Sequence, residues 1–322
     1  MKILITGVAG MLGSHLAEIL IKKKYTVYGV DSLIVGKKEN LNFTFKNKYF
    51  NFVKADVCNK TKIHNLIRKV DVVVHLAAIK KVTEIQSSYA TLDVNVSSTK
   101  IVLDGAKKYK KKVIFASTSD VYGVSKNIPF KEDGNLIIGQ SLAKRWSYAV
   151  SKIYCEHLCY CYYKEFGVKV VILRYFGGFS HKSSFSWSGG HIPNFIDQIL
   201  NKKPVTIHGD GKQTRSMGHA SDLAMGTYLS IKSKKAIGRI INIGNNEEIS
   251  VLQTLKMILK EMNLNYKKIN IKFIPQKKIY GNYKDLRRRR PSLKLAKKIL
   301  GYKPKISLTK AITMVVNEVK KK

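Results

Sequence analysis

Two residues one helical turn apart, Tyr148 and Lys152, are the clearest candidates for chemistry in this chain of 322 residues. At positions i and i+4 of a helix they share one face, so the phenol and the ammonium point into the same space. A neighbouring cation favours the phenolate and lowers the pKa of a tyrosine, which can then act as a base. The Tyr-x-x-x-Lys spacing arises by chance often, so its position in the chain has to support this interpretation.

That position is favourable. The pair begins a predicted helix that follows the strand predicted at Lys112–Ala116, and this strand leads into Ser117-Thr118-Ser119-Asp120. A hydroxyl at this strand end can hydrogen-bond the same substrate oxygen that the tyrosine deprotonates. The spacing therefore predicts a hydroxyl and a phenol that act on one substrate oxygen.

A glycine-rich turn near the N-terminus predicts where a dinucleotide binds. The apolar strand Ile3–Thr6 is followed by Gly7, Gly10 and Gly13, and an amphipathic helix follows them. In this order the glycines allow a tight turn, close approach of a pyrophosphate and packing of helix on strand, while the helix N-terminus offers N–H groups to the phosphates. Asp31 ends the next strand, where an acid binds the ribose and repels a 2′-phosphate. The turn therefore favours NAD over NADP.

Strands and helices alternate through the first half of the chain, which is typical of a doubly wound parallel sheet in an α/β protein. Strands are predicted at Ile3–Thr6, Thr26–Val30, Tyr49–Ala55, Val70–His75, Lys112–Ala116 and Val168–Leu173. Helices are predicted at Leu12–Lys23, Thr61–Arg68, Leu92–Lys108 and Tyr148–Phe166. We therefore expect a Rossmann domain over residues 1–176.

From about residue 177 the alternation breaks, and we expect residues 177–322 to form a smaller, interleaved α/β region for the substrate. Ser180–Gly190 is rich in serine, glycine and aromatic residues and is expected to form a loop over the substrate. Beyond it we predict helices near Ile192–Asn201 and Val251–Met262, strands near Val205–His208, Ile240–Gly244 and Ile269–Ile274, and a terminal helix.

Together these motifs resemble the extended short-chain dehydrogenases/reductases that act as nucleotide-sugar epimerases, dehydratases and decarboxylases. The resemblance covers nearly the whole chain and follows the order of the family's motifs. It rests on Thr6 to Gly13, Asp31, Asp56-Val57, His75 to Ala78, Asn95, Ser117 to Gly123, Tyr148 to Lys152, Arg174 to Phe176, Gly209 to Arg215 and Asp222 to Ala224.

The resemblance implies a redox-neutral reaction at carbon 4 of a nucleoside-diphosphate sugar, with tightly held NAD. Tyr148 would remove the hydroxyl proton, Lys152 would hold the cofactor ribose and lower the tyrosine pKa, and Thr118 would hydrogen-bond the reacting oxygen. The cofactor-binding residues implied are Gly7, Gly10, Met11, Leu12, Gly13, Asp31, Asp56, Val57, Ala77, Asn95, Tyr148 and Lys152. The 4-keto sugar can then be reduced from its other face, lose water or lose a carboxylate.

The subclass depends on the residues after Thr118. The resemblance implies an Asp-Glu pair there in 4,6-dehydratases and Thr-Ser-Glu in decarboxylases of UDP-glucuronate, whereas this chain has Ser119-Asp120. Asp120 is either a base at carbon 5 or a structural acid that binds backbone amides at the strand end. We expect a UDP-sugar epimerase or dehydratase, with a UDP-glucuronate-type decarboxylase as the alternative.

Several other residues bear on the substrate pocket. Ser119, Arg215 and Arg289 are predicted to bind substrate, the two arginines as clamps on the diphosphate. The segments Arg145 to Tyr148 and Asp285 to Pro291 resemble the decarboxylase branch. Gly177 stands where the family usually has a substrate-contacting asparagine, and this departure, with the loop Ser186 to Gly190, predicts a distinct sugar pocket.

The charge balance raises an alternative of another class. The formal net charge is +38, yet only nine of the 59 basic residues are arginine, and the lysines are spread over nearly every surface segment. This pattern indicates a compositional bias more than a nucleic-acid groove, although attraction of anionic substrates follows from it. A non-catalytic NAD sensor or nucleic-acid-binding protein on the same fold would have no use for Thr118, Tyr148 and Lys152.

The sequence also indicates the cellular compartment and the redox state of the cysteines. Met1-Lys2 lead directly into the first strand, so we expect no export signal. The sequence has no run of about 18 apolar residues, so we expect no membrane helix. The cysteines Cys58, Cys155, Cys159 and Cys161 lack metal-ligand spacing and are expected to be reduced thiols of a cytoplasmic protein. The predicted catalytic helix also carries Cys155, Cys159, Tyr162 and Tyr163, which suit either a homodimer contact or the subunit core.

Overall fold

The structure, a computed structural model, describes residues 1–80, 88–144, 146–184, 190–275, 278 and 286–320. Its strands are β1 Lys2–Thr6, β2 Thr26–Asp31, β3 Phe50–Lys54, β4 Val72–His75, β5 Lys112–Thr118, β6 Val170–Tyr175, β7 Gly178–Phe179, β8 Val205–His208, β9 Thr214–Ser216, β10 Gly218–His219, β11 Ile240–Ile243, β12 Glu248–Ser250 and β13 Ile271–Ile274. Its helices are α1 Met11–Lys22, α2 Asn42–Phe45, α3 Lys60–Arg68, α4 Ser88–Lys108, α5 Trp146–Phe166, α6 His191–Leu200, α7 Ala220–Lys232, α8 Val251–Glu261, α9 Lys294–Leu300 and α10 Leu308–Lys320. Short 3-10 turns lie at Lys38–Leu41, Ser119–Tyr122 and Tyr266–Lys268.

Seven strands form one parallel sheet in the order β11-β6-β5-β4-β1-β2-β3. The Rossmann architecture predicted from the alternation of strands and helices is therefore confirmed. The strand order reverses between β1 and β4, and in such sheets ligands bind at the carboxyl ends of the strands beside this point. The glycine-rich turn after β1 and the hydroxyl cluster at the end of β5 both lie at this edge.

Two apolar layers cover the two faces of the sheet. On one face α1, α7 and the end of α9 pack over residues such as Ile5 and Val74, which are fully buried. On the other face α3, α4 and α5 pack over Leu4, Val73 and Phe115. Near-continuous apolar strands such as Ile3–Ile5 are expected in a sheet that is covered on both faces.

The remaining elements form a smaller apolar cluster beside the carboxyl edge. It joins α6, α8 and α10 to the two-stranded pairs β8–β13 and β9–β12. Beyond residue 176 the sequence analysis missed helix α7, which packs on the main sheet, and the short strands β7, β9, β10 and β12. The single terminal helix that it predicted is two helices, α9 and α10. β11 joins the main sheet although it lies well beyond residue 176.

Two cysteines of α5, predicted to lie either in a homodimer contact or in the subunit core, lie in the core. Cys155 and Cys159 are fully buried and Tyr162 is nearly so, all within the core of the subunit. Burial raises the pKa of both thiols, as expected for unreactive core cysteines. The side chains that α5 exposes are others, including Val150 and Tyr154.

Candidate active site

The glycine-rich turn has no room for larger residues. A Cβ on Gly13 would lie 2.3 Å from the Gly7 carbonyl oxygen, and one on Gly7, which has a φ of +72°, would lie 2.8 Å from the Ala77 nitrogen. The Thr6 hydroxyl accepts the Ala77 N–H at 3.2 Å and so joins the ends of β1 and β4. Backbone is therefore brought together at the switch point as a cradle that fits a dinucleotide.

Asp31 lies at the carboxyl end of β2, directly beside this turn. Its carboxylate accepts the N–H of Ala9 and of Leu33, each at 2.9 Å. The acid predicted to contact the ribose is thus held in place by backbone of the turn itself. Met11 and Leu12 begin α1 immediately after Gly10.

The other residues predicted to bind the cofactor surround the same edge. Ala77 is half-buried just after β4, and Asp56 and Val57 follow β3, where the Asp56 carboxylate accepts the Cys58 N–H at 2.7 Å. Asn95 is buried on α4, where its Oδ1 accepts the N–H of Ile79 at 2.8 Å and its Nδ2 donates to the carbonyl of Ile79 at 3.1 Å. Its amide also donates to the Ser151 hydroxyl at 3.0 Å, which ties the segment after β4 to α5.

The structure brings the predicted catalytic residues to one place. Thr118 ends β5, and Tyr148 and Lys152 lie on α5, all with less than a tenth of their surface exposed. The Lys152 ammonium donates to the Ala116 carbonyl at 2.8 Å, two residues before Thr118, and lies 4.8 Å from the centre of the Phe115 ring. Burial lowers the pKa of Lys152.

The Thr118 hydroxyl is oriented by its own turn. Its oxygen accepts the Asp120 N–H at 3.2 Å, which leaves the hydroxyl proton available to a substrate oxygen. Ser119 is buried as the first residue of the 3-10 turn that follows.

Asp120 forms an ion pair with Arg289, from which it is separated by 169 residues. The two side chains are 10% and 14% exposed, so the pair is largely shielded from bulk water. A carboxylate that is engaged by a guanidinium acts as an acceptor only. The acid beside Thr118 and an arginine predicted to bind substrate are thus direct neighbours.

The run Arg287–Arg290 is not a simple solvated stretch of charge. Arg287 pairs with Asp210 and Arg288 pairs with Glu248, at 2.9 and 2.8 Å, both at exposed sites. The backbone of this run bonds β9, because the N–H of Ser216 donates to the Arg289 carbonyl at 3.2 Å. The backbone of residues 287–289 therefore runs beside β9, the strand that carries Arg215.

Arg215 lies on β9, half-buried. Its Nη1 donates to the carbonyls of Thr214 and Leu286, at 2.7 and 3.0 Å. His191, to which the sequence analysis gave no role, begins α6 nearby. Burial, and then the charge of Arg215, lower the pKa of His191 to about 3, so its imidazole is neutral.

Gly177 lies two residues beyond Tyr175, which pairs with Thr118 across β5 and β6. A Cβ on Gly177 would lie 2.3 Å from the sulfur of Met217, which is itself buried. A thioether therefore occupies the space that the usual asparagine would need. Only knowledge of the fold connects these positions, since they are 40 residues apart in sequence.

Some predicted features lie outside the described residues: Arg145, Asp285 and residues 185–189 of the predicted loop Ser180–Gly190. Across the part of the chain that is described, no group of three or more His, Cys, Asp or Glu side chains is arranged to hold a metal ion. No helix in that part is long and apolar enough to cross a membrane.

The chain is similar to known proteins over nearly its whole length. The pattern of the family described as GDP-mannose 4,6 dehydratase matches residues 4–315. The chain is 35% identical over 308 residues to UDP-N-acetyl-alpha-D-glucosaminuronate decarboxylase of Bacillus cytotoxicus, covering 95% of this chain and 94% of that one. It is 31% identical to UDP-glucuronic acid decarboxylase 2 of Arabidopsis thaliana, over 99% of this chain and 68% of that one.

Its structure is similar to that of UDP-glucuronic acid 4-epimerase from Bacillus cereus in complex with UDP-glucuronic acid and NAD. The TM-score is 0.89 at 32% identity, and the similarity covers 100% of this chain and 99% of that one.

Proposed function

The chain belongs to the family described as GDP-mannose 4,6 dehydratase, whose members are NAD-dependent epimerases, dehydratases and decarboxylases of nucleotide sugars, and from this premise we propose that it decarboxylates a UDP-linked hexuronate. The observation that carries the proposal is the ion pair between Asp120 and Arg289 beside Thr118. We assign the Arg289 guanidinium to the sugar carboxylate and not to the diphosphate predicted from the sequence, because it lies against Asp120, two residues after Thr118. The two relatives compared above also bear names of enzymes that act on such acids.

The first step is assigned to three residues. Tyr148 removes the proton of the carbon-4 hydroxyl, Lys152 stabilises the phenolate by its charge, and Thr118 hydrogen-bonds the reacting oxygen. Bound NAD accepts a hydride from carbon 4 and can later return one. The cradle around Gly7, Gly13 and the Asp31 carboxylate holds the dinucleotide.

The second step follows from the chemistry of the 4-keto sugar. In a hexuronate this ketone makes the carboxylate that of a β-keto acid, so the bond between carbons 5 and 6 breaks with loss of carbon dioxide, and its electron pair forms the enolate of the 4-ketone. A proton from water adds at carbon 5 and restores the ketone, to which the hydride returns at carbon 4. Arg289 Nη1 is already engaged by Asp120, so the guanidinium is shared with a carboxylate of the protein and holds the sugar carboxylate less firmly. We therefore propose decarboxylation in preference to epimerisation at carbon 4, a reaction in which the sugar has to keep its carboxylate.

Two other outcomes are weaker. Dehydration needs an acid that donates a proton to the leaving hydroxyl, and the ion-paired Asp120 is not poised as a donor. Epimerisation at carbon 4 is the second candidate, because the similar structure from Bacillus cereus is that of a UDP-glucuronic acid 4-epimerase. In that case the intermediate rotates before the hydride returns.

We also propose that the protein acts as a homodimer. Helices α4 and α5 pack together and expose apolar and aromatic side chains on their outer faces, among them Tyr89, Leu92, Val150 and Tyr154. These four are 75%, 37%, 43% and 55% exposed. A patch of this kind on a protein surface is typical of an interface, and a second copy would cover it.

The function is tested by mass spectrometry of the products formed from defined donors. The donors are UDP-glucuronate, the UDP-linked 2-acetamido hexuronate, UDP-glucose and dTDP-glucose. Loss of the mass of carbon dioxide from either uronate supports the proposal, and a new isomer of unchanged mass supports the second candidate. Loss of water from a neutral glucose donor, with no reaction of the uronates, would overturn both.

A further inference from the structure

Behind Tyr148 and Lys152 lies a buried ion pair that the reaction described above does not use. Glu156 follows Lys152 by one turn of α5, and Arg174 faces it from β6. Arg174 Nε donates to Glu156 Oε1 at 2.9 Å and Nη2 donates to Oε2 at 2.7 Å, and the two side chains are only 4% and 5% exposed.

The same carboxylate is joined to the strand that carries Thr118. The hydroxyl of Ser117, the residue before Thr118, donates to Glu156 Oε1. Arg174 in turn donates to the Glu132 carbonyl at 3.1 Å and lies over the Tyr122 ring at 4.8 Å. Glu156 therefore links the helix of Tyr148 to the end of β5 on one side and to β6 on the other.

Stability alone does not account for such a pair. Replacing a buried ion pair by packed apolar residues is often neutral or stabilising, because two charges have to be taken out of water. What an apolar replacement of the pair cannot do is hold a hydroxyl-bearing strand by hydrogen bonds, and a replacement of Glu156 alone leaves the charge of Arg174 uncancelled. Both effects would be felt at Tyr148, about 12 Å from Glu156 along the helix axis.

We propose that Glu156 is a positioning residue for the proton transfer at Tyr148: through Ser117 it holds Thr118 against α5, and its charge cancels that of Arg174. Lys152 is then the cation that acts on the Tyr148 phenol. The inference rests on the proposed function in that Tyr148 is taken as the base.

Other titratable groups lie around this network and have to be considered. Burial, with a minor effect of Lys152, lowers the pKa of His75 to about 3, so that ring is neutral. Burial raises the pKa of Glu132 and of Tyr122. The charged and titratable groups around the pair are Lys152, Cys155 and Cys159 on α5, Glu132, Tyr122, and His75 on β4. In this set Glu156 is the negative charge bonded directly to Arg174.

The test is a spectrophotometric titration of Tyr148 in the intact, cofactor-loaded protein, with and without Glu156→Gln. Subtracting the corresponding Tyr148→Phe titration in each background isolates the phenol of interest from the other tyrosines. In E156Q the guanidinium of Arg174 is left uncancelled and favours the phenolate. A unit charge at ~12 Å and an effective dielectric constant of ~20 then lowers the Tyr148 pKa by about one unit.

The matched control is Asp104→Asn, which also removes one negative charge that is bonded to α5. Asp104 accepts the hydroxyl of Tyr162, which is about 21 Å along the helix from Tyr148, so the same Coulomb relation gives a shift of at most about 0.6 unit, and solvent screening at this half-buried site reduces it further. The Tyr148 pKa should therefore move clearly less in D104N than in E156Q. If the Tyr148 pKa is unchanged in E156Q, or shifts by no more than it does in D104N, the proposed electrostatic role of Glu156 is wrong. This titration needs no substrate, so it decides the matter even if no sugar nucleotide is turned over and the proposed function fails.

A second variant tests the positioning role and covers the case in which E156Q does not fold. Ser117→Ala keeps the ion pair and removes the link to the strand. We expect kcat to fall about tenfold with KM within about twofold, since a misplaced Thr118 acts on the reaction and less on binding. The Tyr148 pKa should stay unchanged in S117A. An unchanged kcat in S117A would overturn the positioning role.

Discussion

At the scale of single residues, the proposed function makes the outcome of the reaction depend on how Asp120 and Arg289 share their charge. Asp120 already engages the Arg289 guanidinium. In the proposed reaction the carboxylate of the sugar would therefore compete with the carboxylate of Asp120. A weak hold on the sugar carboxylate favours its loss, and a firm hold favours its retention.

We therefore expect Asp120→Asn to change the products more than the overall consumption of substrate. Asparagine has the size of aspartate but no charge, so Arg289 becomes free to bind the sugar carboxylate at two points. Release of carbon dioxide should fall about tenfold, which corresponds to about 1.4 kcal/mol, while the 4-keto sugar or its 4-epimer increases. Product analysis by nuclear magnetic resonance, with labelled carbon 6, measures both.

The control for this variant is Asp210→Asn. Asp210 forms an exposed ion pair with Arg287, in the same arginine run, and the pair is 46% and 65% exposed on its two sides. Exposed pairs contribute little, so the ratio of products should equal that of the unaltered protein. A D120N variant that releases carbon dioxide at the normal rate would show that Asp120 does not influence whether the sugar loses or keeps its carboxylate.

At the scale of elements, the turn between β1 and α1 makes the cofactor cradle by close contact of backbone. The Cβ of any residue at 13 would meet the carbonyl of Gly7 and, at 2.7 Å, the Cα of Val8. Neither atom can move without moving the turn. The cradle is therefore a property of the crossing of strand and helix, and not of one side chain.

We expect Gly13→Ala to lower the amount of NAD that copurifies with the protein. The added methyl group displaces the turn that receives the pyrophosphate, so affinity should fall by about tenfold or more, which corresponds to about 1.4 kcal/mol. The measurement is the cofactor content of the purified protein together with calorimetric titration of NAD.

Gly105→Ala is the matched control for this change. Gly105 lies in the last turn of α4, and the Cβ it lacks would meet mainly the ends of the flexible Ile67 and His64 side chains. Its NAD content should stay normal, because these side chains can adjust. Normal NAD content in Gly13→Ala would contradict the view that close contact of backbone makes the cradle.

The elements at the sheet edge were largely predictable, because glycine spacing and apolar strands are local signals. Strand β5 and helix α5 needed only small changes of their predicted bounds, and Thr118, Tyr148 and Lys152 lie together as the motifs indicate. The Asp120–Arg289 pair was not predictable, since nothing local in either segment points to a partner 169 residues away. Helix α7 was missed because its small and polar residues, from Ala220 to Lys232, carry a weak apolar periodicity.

At the scale of the whole molecule, the net charge of +38 affects how the protein associates with charged ligands and with other copies of itself. Anionic sugar nucleotides are attracted to the protein, and two copies of the chain repel each other. Salt screens both effects over about 10 Å at 0.1 M. An interface between copies must therefore gain its free energy from apolar contact, as the exposed face of α4 and α5 can provide.

The proposed homodimer should therefore respond in a defined way to a mutation in this face and to salt. Tyr154→Glu places a charge in the middle of the exposed face of α5, so the protein should sediment as a monomer at concentrations where the unaltered chain is a dimer. The control is Tyr266→Glu, which adds the same charge at a tyrosine that is 37% exposed, in the 3-10 turn Tyr266–Lys268. Raising the salt concentration should tighten the dimer of the unaltered chain, because it screens like charges and leaves the apolar contact intact. A dimer that persists in Tyr154→Glu, or that dissociates as salt is added, would place the interface on a different, charge-paired surface.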